Sequence, residues 1–190
     1  MADCALRYRI SSAHDSTLVA QVHETRGWRK RPYFLRFEKL AGELHYHPEG
    51  GDPFRLTLEV DAGSLTCRDP SCPPRQQRRL TACACRVVLQ AHQHPVLSFR
   101  SHQVAAKAWR GFLVEGTLCV RGITRHHRVN LVLTRAEGTG WEIEGDSLFP
   151  FSAFEIPPPS SRLGWIRTGD PVLLHWHLYA MPEGRESATE

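Results

Sequence analysis

Trp109-Arg-Gly-Phe-Leu-Val-Glu-Gly-Thr-Leu-Cys-Val-Arg-Gly-Ile-Thr-Arg-His-His-Arg-Val-Asn-Leu-Val-Leu-Thr134 holds two alternating runs around a turn. In the first run, Phe112, Val114, Gly116, Leu118 and Val120 share one face, and Leu113, Glu115, Thr117, Cys119 and Arg121 share the other. In the second, Val129, Leu131 and Leu133 face one way and Arg128, Asn130 and Thr134 the other. Only a period of two separates the residues so well, because side chains on a strand alternate between faces. Gly122 falls where the chain must reverse, which predicts a long antiparallel hairpin. Its inner face is apolar with one small residue, Gly116. It is one wall of a barrel or sandwich.

Working outward, Tyr8 to Ile10 reads as a short apolar lead-in, and Ser16 to His23 alternates with Leu18, Ala20 and Val22 on one face. Gly27 to Pro32 reads as a basic loop carrying Trp28. Tyr33 to His47 is a strand or strand pair broken near Ala41-Gly42, and His47 to Pro53 is a turn. Phe54, Leu56, Leu58 and Val60 then alternate with Arg55, Thr57 and Glu59, giving a strand with one wet face. The prolines between Asp69 and Pro74 introduce the one helix, Arg75 to Gln90. There Leu80, Cys83, Ala84, Val87 and Val88 recur at helical spacing, and Arg75, Arg78, Arg79 and Arg86 supply much of the polar side. Val96 to Val104, Trp141 to Ile143 and Val172 to Ala180 complete the strands, the last with Val172, Leu174, Trp176 and Leu178 on one face. Eight or nine strands at hairpin spacing around a single helix predict an all-β antiparallel barrel.

The 190 residues suit one domain, 1–181, followed by a mobile C-terminal tail, 182–190. Among 24 basic residues only Lys30, Lys39 and Lys107 are lysine, and the net charge of +4 fits a solvated basic exterior as well as an anionic partner. The first residues lack a basic stretch followed by an apolar core, so the expected compartment is the cytoplasm, or the periplasm if a leader has been removed. No apolar run nears the roughly 18 residues of a membrane-spanning helix. The six cysteines do not follow a disulfide framework and read as reduced thiols.

A series of local signals in fixed order adds to this reading. Val60-Asp61-Ala62-Gly63-Ser64-Leu65 ends a strand, and His94-Pro95-Val96-Leu97-Ser98-Phe99-Arg100-Ser101 follows the helix. Val114 to Thr124 forms the hairpin, and Gly169-Asp170-Pro171-Val172 precedes the last strand. The series resembles the YceI-like, polyisoprenoid-binding family over roughly Tyr8 to Tyr179. The resemblance implies an extended antiparallel lipocalin-like β-barrel of about eight strands with a helix beside it. It also implies non-enzymatic binding of a long apolar chain in the lumen. Three departures stand out: no export signal, no aromatic pair in Thr81 to Val88, and Glu155 where a glycine is common.

The expected lumen is Phe54, Leu56, Leu58, Val60, Leu97, Phe99, Phe112, Val114, Leu118, Leu131, Leu133 and Trp176. A barrel of about eight strands either fills with side chains or holds one elongated ligand. Trp28, Phe149, Phe151 and Phe154 are candidates for a mouth or cap. The pairs His45/His47, His92/His94 and His175/His177 each put two imidazoles on one strand face. Their apolar neighbours, however, claim the inner face, and no carboxylate or cysteine joins them at ligand spacing, so no metal is expected. Cys67, Cys72, Cys83 and Cys85 match no ordinary zinc knuckle. The arginines of the helix, with Arg29 and Arg31, would suit phosphate, but a solvated face accounts for them, and no nucleic acid is expected. No cofactor is expected.

The leading expectation is a carrier or sequestering protein for a polyisoprenoid, isoprenoid quinone or fatty acyl chain, with its polar head at an arginine- or histidine-bearing rim. The alternative is a ligand-free scaffold that meets a protein partner through exposed strands or the basic helix. A homodimer would suit that version. Without paired carboxylates, a phosphate loop or a triad motif, an enzyme is not expected.

Overall fold

The computed structural model describes residues 6–26, 28–47, 52–107, 111–136, 139–159 and 166–183. In chain order the strands are β1 (Leu6–Ser11), β2 (Thr17–Arg26), β3 (Arg29–Phe37), β4 (Leu40–Tyr46), β5 (Phe54–Asp61) and β6 (Leu65–Cys67), followed by helix α1 (Pro74–Cys83). Then come β7 (Val96–Ala106), β8 (Gly111–Val120), β9 (Ile123–Arg135), β10 (Trp141–Pro150), β11 (Ile166–Thr168) and β12 (Pro171–Pro182). The expected hairpin is β8–β9, with Val120 opposite Ile123 and a two-residue turn at Arg121 and Gly122. Both turn residues have positive φ, 53° and 75°. That is the primed geometry whose twist matches the flanking strands. Trp109 lies outside the described residues.

Neighbouring strands run β1-β4-β5-β7-β8-β9-β10-β12, and β12 pairs back onto β1, closing an eight-stranded antiparallel barrel. Strands outnumber the expected eight or nine because three staves are broken. β1 continues into β2, β3 into β4 and β5 into β6, each through a short joint. Beyond the joints β2 pairs with β12 and β3, and β3 with β6. The break in the second stave falls at Glu38–Lys39, not at Ala41-Gly42. Gly42 lies inside β4 under Leu58, where an added Cβ would come 3.2 Å from Leu58 Cδ1 and collide with the Thr57 carbonyl. The expected basic loop Gly27 to Pro32 is mostly strand: Arg29 to Pro32 pair with β2. Sequence reasoning took a run of charge for a loop, whereas β2 carries β11 on its other side and Arg29 and Lys30 of β3 stay exposed on a strand with one wet face.

The family-like motifs are these joints. Asp61 accepts from the Gly63 N–H at 2.8 Å, and Ser64 Oγ donates to the Asp61 carbonyl while accepting from Lys39 N. The Pro95 carbonyl takes the Ala62 N–H. Asp170 accepts from Ser152 N and Ser152 Oγ, both at 2.8 Å, and pins the Phe151–Phe154 turn. Each motif therefore fixes where a stave bends or a loop is tied down.

The joints divide the interior in two. On the side of β1, β4 and β5, Phe54, Leu44, Ile143 and Val114 are fully buried, and Phe54 meets Phe112 edge to face at 5.1 Å between ring centres. That half is filled. On the other side α1 lies against β6, and its last turn widens: Ala84–Val88 is π-helical. The widened turn changes the helical phase. Val88 and Leu89 are therefore buried, while Val87, expected on the apolar stripe, is 63% exposed. Pro182, expected to begin a tail, still pairs with Tyr8, and Glu183 N donates to the Arg7 carbonyl. Residues 184–190 lie outside the described residues.

Candidate functional site: an apolar cavity beside the helix

The helix-side half of the barrel surrounds a cavity of about 180 Å³. Seven of the twelve expected lumen residues line it: Leu56, Leu58, Val60, Leu97, Phe99, Leu118 and Trp176. The other five, Phe54, Phe112, Val114, Leu131 and Leu133, point inward as expected but belong to the filled half. Alternation identifies which face is inside. It carries no information about which level along the stave is empty.

Two glycines shape the wall. An added Cβ on Gly116 would lie 2.6 Å from Phe99 Cζ, and one on Gly145 would lie 2.7 Å from Trp176 Cζ2. Both cavity rings thus lie flat over a bare stretch of the next strand. The remaining wall comes from Leu18, Ala20 and Val22 of β2, Leu35 and Phe37 of β3, and Leu80, Cys83, Ala84 and Val88 of the helical segment. The helical stripe and the β2 alternation were both legible in sequence, but nothing there placed them opposite each other.

Of the aromatic residues expected at a mouth or cap, Phe149 and Phe151 line the cavity, and Phe154 is buried against Phe149 at 5.6 Å. Trp28 does not line it. That ring is 86% exposed at the β2–β3 turn, with the Arg29 guanidinium 4.9 Å from its centre. Glu155, at the usual glycine position, sits at φ 55°, in the left-handed region that disfavours a side chain by about 1–2 kcal/mol. Arg125 spans this corner, donating to the Ala153 carbonyl at 3.0 Å and pairing with Glu155 at 3.5 Å.

The cavity wall includes few polar groups: Ser98, His127, Ser147, Thr168 and the Trp176 indole nitrogen. Among the described residues no lysine, arginine or carboxylate lines it. Sequence reasoning missed His127, which continues the inward face of Val129 and Leu131 by the same two-residue step. Burial, and secondarily the neighbouring His126, hold the His127 imidazole below its ordinary pKa of 6.5. A proton therefore binds the unfolded chain more readily than the native one. The stabilising contribution of neutral His127 is complete above about pH 6.5 and is lost as pH falls through the depressed native value. The parent protein is expected to lose stability as pH falls below about 6.5, and His127→Gln to flatten that loss. Urea unfolding at a series of pH values measures this, and parallel curves would exclude the role.

The histidine pairs lie outside the barrel lumen or beside the helix, as their neighbours indicated. His45 pairs with Glu43 at 2.8 Å, and His94 packs beside Gly122. No carboxylate joins them at ligand spacing in the sequence, but carboxylates meet them in space. Strand pairing brings Glu142 and Glu144 of β10 to His177, with ligand atoms of all three within 4.8 Å of one another. Glu142 also accepts from Tyr179 Oη at 3.2 Å. Cross-strand neighbours have no fixed spacing in sequence, so no chain motif could show this cluster. Arg75, Arg78, Arg79 and Arg86 are all exposed, a solvated helix face. Among the described residues no helix is long and apolar enough to cross a membrane.

A closed eight-stranded antiparallel barrel around an apolar cavity defines a lipocalin-like barrel. The YceI-like domain model matches residues 8–178, and the chain belongs to that family. Among solved structures, it resembles Burkholderia cenocepacia BcnA at 18% identity, covering 88% of this chain and 98% of that one with a TM-score of 0.69. A polyisoprenoid binding domain from Saccharophagus degradans, implicated in plant cell wall breakdown, aligns at 14% identity, 94% and 99% coverage and a TM-score of 0.63. The Campylobacter jejuni YCEI protein aligns at 12% identity, 80% and 85% coverage and a TM-score of 0.59. At these identities the likeness is one of fold. No curated protein matches the chain.

Proposed function

We propose that residues 1–181 form a single domain that binds one long apolar or amphiphilic molecule, an isoprenoid, an isoprenoid quinone or a fatty acyl chain, and carries or sequesters it unchanged. The observation that carries this reading is the nearly continuous hydrocarbon wall around about 180 Å³ of space. An apolar cavity of roughly 150 Å³ already takes up benzene. Each methylene buried contributes about 0.8 kcal/mol, so a five-carbon isoprene unit in this space contributes about 4 kcal/mol without any charge contact. The named ligand of the Saccharophagus degradans domain supports the same class. The reading is of a non-enzymatic binding protein.

Native mass spectrometry of the freshly purified protein, followed by organic extraction, tests the proposal. A stoichiometric prenyl lipid, quinone or acyl chain is the expected result. An apo mass unchanged after incubation with such lipids would instead favour a scaffold, in which exposed Trp28 and Val87, close in sequence to the basic segments, meet a protein partner.

A further inference from the structure

Six buried side-chain polar atoms among the described residues have no hydrogen-bond partner, and three of them belong to cavity-lining residues: His127 Nε2, Ser147 Oγ and Trp176 Nε1. Native proteins rarely leave such atoms unpaired, and an accumulation at one place calls for an explanation. These three lie on consecutive staves, β9, β10 and β12. Trp176 pairs with Gly145, so Ser147, the next residue on that face of β10, is its diagonal neighbour at roughly 7–8 Å along the sheet. Asn130 pairs with Asp146. That pair ends the β9–β10 ladder; beyond it Ser147 and His127 each line the same cavity from their own strand. Ser147 itself is only 5% exposed.

Their chemistry narrows what could meet them. An indole N–H only donates, and a hydroxyl donates or accepts, so the shared complement is an acceptor atom. Among the described residues the lining holds no cation. A carboxylate or phosphate brought to this wall would be desolvated without a counter-charge, which is strongly unfavourable. A carbonyl oxygen loses far less on leaving water and recovers it through the waiting donors.

We propose that Trp176, Ser147 and His127 form a polar anchor inside the cavity that hydrogen-bonds a neutral carbonyl-type oxygen of the ligand, as in a quinone, ketone or amide. This rests on the carrier reading and reverses one part of the expectation from sequence. The polar end of the ligand enters the barrel instead of stopping at a basic rim. Anionic prenyl phosphates are correspondingly poor ligands at this wall. The Gly145 contact that lays the indole flat on β10 orients the donor.

The test uses the full chain stripped of lipid, with two probes of equal isoprene number: a prenylated benzoquinone and the corresponding all-hydrocarbon polyprene. Dissociation constants are measured for the parent protein, Ser147→Ala and Trp176→Phe. Each substitution is expected to weaken the quinone about three- to tenfold more than the hydrocarbon, the effect of one hydrogen bond. The apo melting temperature of Ser147→Ala should hold or rise, because that hydroxyl lacks a partner in the protein. Equal losses for both probes, or an unchanged quinone affinity, would show that water or packing satisfies these groups and would overturn the anchor. A marked fall in apo Ser147→Ala stability would overturn it too, by giving the hydroxyl a structural role. If the parent protein binds neither probe, the carrier reading itself fails, a result distinct from the others.

Discussion

Gly145→Val is expected to destabilise the barrel by about 3 kcal/mol, at the upper end of what overpacking ordinarily costs. The new Cβ alone would press on the Trp176 ring from one side and the Asn130 carbonyl from the other. The ring can tilt away. The carbonyl belongs to the β9–β10 ladder and cannot move without breaking pairs. The better strand propensity of valine returns at most about 1 kcal/mol, so the sign is not in doubt. Urea unfolding of Gly145→Val, Trp176→Leu and the double variant separates the two clashes. The double variant should recover only the part due to the indole, giving a clear non-additivity. Full recovery would mean that the backbone contact is harmless.

Ala84→Phe should abolish most ligand binding while leaving the fold intact. Ala84 opens the π-helical turn and faces the cavity from the helix side. A phenyl group there occupies space otherwise available to the ligand. Excluding three methylenes removes about 2.4 kcal/mol, roughly a fifty-fold weakening. The same ring fills a void, so the apo protein should melt at the parent temperature or slightly above. Titration with a prenylated quinone, paired with a thermal scan, checks both halves. Undiminished binding would place the ligand elsewhere, and a large loss of stability would mean that the cavity is too small for the ring.

Much of the fold was legible because β structure leaves a period of two in the sequence. The β8–β9 hairpin, the inward faces of β5 and β12 and the turn at Gly122 all follow from alternation and from glycine's tolerance of positive φ. The staves were less legible. Glu38–Lys39 carries no glycine or proline, so the joint between β3 and β4 is fixed by Ser64 and the Asp61 turn, residues distant in the chain. The site was legible only in part. Phe54 and Leu58 look alike as pattern, yet one fills the closed half and the other lines the cavity. Polarity misled as well. His127 and Ser147 were not singled out in the sequence, and Glu142, Glu144 and His177 meet only through strand pairing. Glu155 is the reverse case. The departure from a common glycine was noted in the sequence, but its left-handed backbone became visible only in the structure.

The pairing of Tyr8 with Pro182 has a consequence for how the molecule comes into being. On the ribosome the first stave emerges long before its final neighbour exists. Until about 170 further residues have been made, β1 presents an unsatisfied row of amides and carbonyls on one side. The last joint also spans nearly the whole chain, and contacts of such long separation slow folding because a large loop must be closed before anything is gained. A nascent or briefly opened molecule is therefore vulnerable at one seam. Zipping that seam shut is the step that turns a curled sheet into a container.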